Sequence, residues 1–153
     1  MPEILFYHLT RSSLEDALPQ LLLKTLERGW RAVLQAVTLE RIEALDEHLW
    51  TFREESFLPH ARAGGQRDAE QPLLLTIAED NPNGANVRFY VEGAVPDAAA
   101  GGLAGYTRCV VMFDGEDDAQ LTAARAAWKA LKAEGHGVQY WQQGSDRRWK
   151  QMA

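Results

Sequence analysis

Residues 3–50 read EILFYHLTRSSLEDALPQLLLKTLERGWRAVLQAVTLERIEALDEHLW, and this stretch decides the fold. Glu3-Ile4-Leu5-Phe6-Tyr7-His8-Leu9 is a short run of aromatic and branched side chains, the composition of a buried strand. Ser12 with Glu15 three residues on is a capping-box pattern. Leu14, Leu18, Leu21, Leu22 and Leu26 then recur at helical spacing until Gly29 stops the run. Residues 30–37 predict a second strand. Thr38 caps a second helix, whose apolar stripe is Leu39, Ile42, Leu45, Leu49 and Trp50. Strand–helix–strand–helix is the rhythm of a parallel α/β sheet with right-handed crossovers.

Outward from that stretch the pattern loosens and then returns. Residues 52–72 hold Pro59, Gly64, Gly65 and many charges, and predict a long loop of the kind that is often functional or mobile. Residues 73–78 predict a third strand and 79–84 a turn around Asn83-Gly84. Residues 86–92 predict a short strand near an edge, and 93–105 a loop or weak helix. Arg108-Cys109-Val110-Val111-Met112-Phe113 predicts a buried strand, and 114–118 an acidic turn. Residues 119–134 predict a strong helix ending at Gly135, followed by a last short strand over 138–142 and a basic tail. No repeat or long linker divides the chain. The expectation is one domain over 1–153: a three-layer α/β/α sandwich with a mostly parallel central sheet, Rossmann-like or P-loop-like in topology.

Composition narrows the class. A chain of 153 residues buries a sizeable core without disulfides or metal. Hydrophobic residues at 46% and charged residues at 25% exclude a disordered tail, a collagen-like repeat and a coiled coil. One cysteine, Cys109, leaves no disulfide framework and no cysteine zinc cluster within the chain. No apolar run reaches membrane-spanning length, and the N-terminus lacks the basic-then-apolar pattern of a secretory signal. A reduced, cytoplasmic protein is expected.

Charge is uneven. The net charge is −6, divided into −10 over residues 1–118 and +4 over 119–153, where Arg125, Lys129, Lys132, Arg147, Arg148 and Lys150 face only Glu134 and Asp146. A basic end on an acidic body suggests a local anion-binding surface, or simply a solvated one. The acidic body argues against broad duplex binding, which needs many phosphate contacts.

Enzyme signatures are mostly missing. No glycine-rich phosphate loop follows the first strand, which runs into Thr10-Arg11-Ser12-Ser13, so no nucleotide site or other cofactor is expected. Ser56 and His60 are four apart, but no nucleophile elbow frames Ser56, and Pro59 breaks any helix presenting both. His8, His48 and His136 lack metal-binding spacing, and His8 reads as a partly buried, hydrogen-bonded residue. Asp114-Gly115-Glu116-Asp117-Asp118 could hold magnesium, but carboxylates ahead of a helix more simply cap it.

One constellation exceeds what folding needs. At about 100° per residue, Leu121, Ala124, Trp128 and Leu131 form a core-facing stripe on the late helix. Arg125, Lys129 and Lys132 form an adjacent stripe with no acid between them. An indole beside guanidinium and ammonium groups suits an acidic peptide with an apolar end. It also suits single-stranded nucleic acid, with cations on phosphates and the ring on a base. An ordinary surface is the third option.

The sequence resembles the chi subunit of bacterial DNA polymerase III over nearly its whole length. The markers are Leu45-Asp46-Glu47-His48-Leu49-Trp50 with Glu54-Glu55-Ser56-Phe57-Leu58-Pro59-His60, then Gln71-Pro72-Leu73-Leu74-Leu75. Phe113-Asp114-Gly115, Ala123-Ala124-Arg125, Trp128-Lys129 and Gly135-His136 follow, and Tyr140-Trp141-Gln142-Gln143 with Trp149-Lys150 complete the set. The resemblance implies an α/β/α fold with no nucleotide site and an accessory, non-catalytic role in the replicase. It implies an adaptor linking the clamp loader, through its psi partner, to single-stranded-DNA-binding protein. That partner is held by its acidic C-terminal tail, which ends in an apolar dipeptide and a terminal carboxylate. The family's tail-binding helix maps onto Arg125, Trp128 and Lys129. A family position that can be basic is Leu121 here, and Lys132 is a candidate to compensate. Trp50, Phe57 and Pro59 map onto the interface for psi or a repair helicase, with the protein core as the alternative place for Trp50 and Phe57.

Overall fold

The computed structural model describes residues 2–52, 58–97, 103, 105–146 and 148–153. Its strands are β1 (Glu3–Leu9), β2 (Ala32–Gln35), β3 (Ala61–Arg62), β4 (Leu73–Thr76), β5 (Val87–Val91), β6 (Arg108–Asp114), β7 (Val138–Gln143) and β8 (Trp149–Gln151). Its α-helices are α1 (Leu14–Glu27), α2 (Leu39–Thr51) and α3 (Asp118–Ala133). The strands form one sheet in the order β3-β4-β2-β5-β6-β1-β7-β8. Every pairing is parallel except that of β7 with β8. This is the expected mostly parallel α/β/α sandwich.

Strand alternation builds a core on each face. Leu9, Leu34, Val110 and Met112 meet Leu18, Leu22, Ile42, Leu45 and Leu49 of α1 and α2. Ile4, Phe6, Val33, Val111 and Phe113 face the other way and meet Ala124, Ala127 and Leu131 of α3. Ala94, Leu103 and Tyr106 of the β5–β6 connection complete that second layer, and the described part of this connection contains no helix.

Helix boundaries follow side-chain capping, with one correction. Thr38 caps α2 as expected, its hydroxyl accepting from the Arg41 amide at 3.3 Å. For α1 the cap is Ser13, accepting from the Asp16 amide at 3.2 Å, and not Ser12. Ser12 is engaged instead by Gln143, whose Nε2 donates to its hydroxyl at 3.1 Å. Gly29 and Gly135 close α1 and α3 with φ of +80° and +85°, a region other residues enter at a cost. Pro19 lies inside α1 and cannot donate to the Glu15 carbonyl one turn back. His48 Nε2 of α2 donates to that carbonyl at 2.7 Å, so the freed acceptor becomes a tie between the two helices.

Three further expectations are revised. The strand over 86–92 is not near an edge: β5 lies between β2 and β6 and all five of its residues are buried. Arg88 gives it a polar look, yet it is 1% exposed. Its guanidinium donates to Gln35 Oε1 at 2.8 and 3.0 Å, to the Asp80 carbonyl at 2.7 Å, to the Tyr106 hydroxyl at 3.0 Å and to the Ala78 carbonyl. The loop over 52–72 contains β3 and a 3-10 turn at Asp68–Glu70. The basic tail is not free, because β8 pairs with β7 as the far edge of the sheet.

Candidate functional site

In parallel sheets of this kind ligands bind beyond the strand C-termini, where neighbouring strands send their connections to opposite faces. Here that place lies between β1, which leads to α1, and β6, which leads to α3. It holds a small pocket of about 240 Å³ lined by residues of the β1–α1 and β6–α3 loops. The amides of Thr10, Arg11 and Ser12 converge on one atom, Gln143 Oε1, at 3.4, 3.2 and 3.1 Å. The Thr10 hydroxyl donates to the Gln143 carbonyl at 3.0 Å. A fan of amides that could receive a phosphate is thus spent on a side chain of β7. Glu15, Glu92, Asp114 and Glu116 line the same pocket and disfavour an anion there.

The acidic turn caps α3. Asp117 accepts from the Gln120 amide at 3.0 Å, and Asp114 accepts from the Glu116 amide at 2.9 Å. Among the described residues no cluster of three or more His, Cys, Asp and Glu side chains could hold a metal ion. Ser56 lies outside the described residues. His60 is buried, with Nδ1 2.6 Å from the Leu58 carbonyl and Nε2 3.1 Å from the Asp46 carbonyl. Its Nε2 also lies 3.2 Å from Asp46 Oδ1.

The late helix is different. A cleft of about 720 Å³ opens between α3, β1, the end of β6 and β7, and its exposed lining is mainly apolar. Phe6 packs edge-on against Trp128 with ring centres 5.5 Å apart, and Trp128 packs edge-on against Tyr140 at 5.9 Å. His8 stacks on Phe113 at 4.9 Å, and its Nδ1 is hydrogen-bonded to the Tyr140 hydroxyl. Burial raises the Tyr140 pKa, against the opposing charge of Arg125, so the phenol keeps its proton. Leu121, Ala124, Arg125 and Lys129 supply the α3 side. Arg125 and Lys129 are exposed, and neither forms an ion pair among the described residues.

The structure therefore gathers Arg125, Trp128 and Lys129 around one cleft. Lys132 stands apart from its lining, with its ammonium 4.9 Å from the Trp128 ring centre. Leu121 forms part of the apolar wall of the cleft. Arg147 lies outside the described residues, while Arg148 and Lys150 are exposed and are not part of the cleft. Trp50 is not core: it is 48% exposed at the end of α2, with its ring 4.1 Å from that of His60. Pro59 is half-buried, and Phe57 lies outside the described residues.

Phe6, His8, Phe113, Gly115 and Tyr140 were not foreseen as site residues. The signal was register. Phe6 lies opposite Tyr140, and His8 opposite Phe113, across two parallel ladders that the linear sequence does not display.

Fold and cleft together define a doubly wound α/β protein that carries an aromatic, cation-edged cleft and no phosphate loop. The DNA polymerase III chi subunit (HolC) family matches residues 1–139, and the chain belongs to that family. It is similar to the DNA polymerase III subunit chi of Pseudomonas aeruginosa, with 30% identity over 122 residues, covering 74% of this chain and 78% of the relative. It is also similar to a probable DNA polymerase III subunit chi of Rickettsia prowazekii, with 28% identity over 87 residues. That match covers 57% of this chain and spans about half, 53%, of the Rickettsia protein. Among the described residues no helix is long and apolar enough to cross a membrane.

Proposed function

We propose that this chain is an adaptor without catalytic activity, which holds the acidic C-terminal tail of single-stranded-DNA-binding protein in the cleft between α3 and β7. The observation that carries this reading is the juxtaposition of an aromatic floor with two cations on its edge, Arg125 and Lys129, that form no ion pair among the described residues. An aromatic or aliphatic end residue fits the floor, and the terminal and side-chain carboxylates meet the cations. Arg125 can grip a carboxylate with two parallel bonds, and Lys129 adds a point charge. Trp128 serves both functions, as wall and as base for Lys132 above it. By the same reading, the chain joins this partner to the clamp loader through psi, or to a repair helicase, using Trp50 and Pro59 together with Phe57, which the resemblance adds and which lies outside the described residues. The exposure of Trp50 supports that role, since a large exposed aromatic is the kind of residue interfaces enrich.

Calorimetric titration with a peptide of the acidic tail tests the first interface. Micromolar affinity, roughly −8 kcal/mol, that weakens with added salt is expected. A bare oligonucleotide should neither quench tryptophan fluorescence nor displace the peptide. Quenching by DNA alone, with no heat from the peptide, would replace this reading with direct single-strand binding.

A further inference from the structure

The cleft floor contains a polar atom that contacts with Arg125 and Lys129 leave unused. His8 is held in place on two sides, by stacking on Phe113 and by the Nδ1 bond to Tyr140. With the phenol donating to Nδ1, the neutral ring carries its proton on Nε2. Nε2 has no hydrogen-bond partner among the described residues, and it is not one of the sealed unsatisfied atoms, which are Asn83 Oδ1 and His136 Nδ1. It emerges beside Gly115, where a β-carbon would lie 1.7 Å from it. Gly115 does not have a left-handed φ. The glycine therefore supplies room for the imidazole and no special backbone geometry.

Resting on the tail reading above, we infer that His8 is a specificity-determining residue of this cleft, whose Nε2 meets a carboxylate of the bound acidic peptide and binds it more tightly as an imidazolium. The ionisable groups facing the ring are Asp114 from β6, Arg125 from α3 and Tyr140 from β7, with Lys129 on the same cleft. Burial is the main effect and lowers the His8 pKa; Arg125 lowers it further, and Asp114 opposes both. The free protein thus keeps His8 neutral near neutrality. An arriving carboxylate favours the charged ring: the added proton goes to Nδ1, the Tyr140 hydroxyl turns from donor to acceptor, and Nε2–H keeps donating to the carboxylate, so binding takes up a proton and strengthens as pH falls. Binding and folding respond oppositely. A His with a lowered folded pKa stabilises the fold above its unfolded value and loses that contribution in acid.

The test is calorimetry with the tail peptide at about pH 7.5 and pH 5.5, a window in which the peptide's own carboxylates stay ionised. The expected result is about three- to tenfold tighter binding at the lower pH, one unit of pKa shift being tenfold. The heat should depend on the buffer's ionisation enthalpy, and His8→Gln should bind with one affinity at both pH values. NMR titration of the His8 ring in the unmodified protein reads the same linkage: the peptide should move its midpoint to higher pH. One affinity at both pH values, an unmoved midpoint, or a pH effect that persists in His8→Gln overturns the role of His8 and leaves tail binding intact. No binding at either pH overturns both.

Discussion

Arg125 and Trp128 sit three residues apart on α3 and should fail differently when removed. Arg125 is exposed and forms no ion pair among the described residues, so Arg125→Ala should weaken the tail peptide about tenfold, the worth of one charge-assisted contact. Stability should stay within about 0.5 kcal/mol, as for other surface changes. Calorimetry and a thermal melt separate the two. Trp128 is half-buried against Phe6 and Tyr140, so Trp128→Ala should lower both binding and melting temperature. Cys109 offers a check on the core. It is 0% exposed, and burial pushes its thiol pKa up to about 12. A thiol reagent at mildly alkaline pH should leave it unmodified in the native protein and react after denaturation. The cations and indole of α3 were legible because a helix displays its faces at a fixed period. His8 and Tyr140 were not, because they meet only through the pairing of β1 with β7.

At the level of elements, the prolines, glycines and hydroxyls mark most boundaries, and side chains from elsewhere decide the exceptions. Ser12 and Ser13 are equally good caps by composition; Gln143, from the other end of the chain, takes Ser12 and leaves Ser13 to α1. Arg88 makes β5 look like a polar edge because its neutral acceptors, Gln35 and Tyr106, come from other strands and loops. Pro19 carries a consequence between helices. His48→Ala should cost about 1 kcal/mol by deleting the bond to the Glu15 carbonyl. In a Pro19→Ala background that carbonyl regains an intrahelical donor, and the His48→Ala penalty should shrink. A urea double-mutant cycle measures the coupling. Equal penalties in both backgrounds would show that His48 acts by packing alone.

Across the whole molecule, Gln143 joins the start of the sheet to its end. It is 7% exposed and satisfies three amides of the β1–α1 loop, so Gln143→Ala should destabilise the protein by about 1–2 kcal/mol, because the part-buried donors it leaves can be reached in part by water from the pocket. Chemical denaturation reads this directly. The sandwich architecture was legible in the first fifty residues, since two rounds of strand and helix admit few arrangements. The strand order was not, because periodicity says nothing about which strand lies beside which. That order also governs how fast the fold can form. β1 lies between β6 and β7, with Glu3 opposite Arg108 and Ile4 opposite Val138, so both of its ladders join residues far apart along the chain. The entropy of closing those loops must be met before either ladder contributes. Refolding followed by stopped-flow fluorescence should therefore be slow, and Ile4→Val in this central strand should speed unfolding more than it slows refolding.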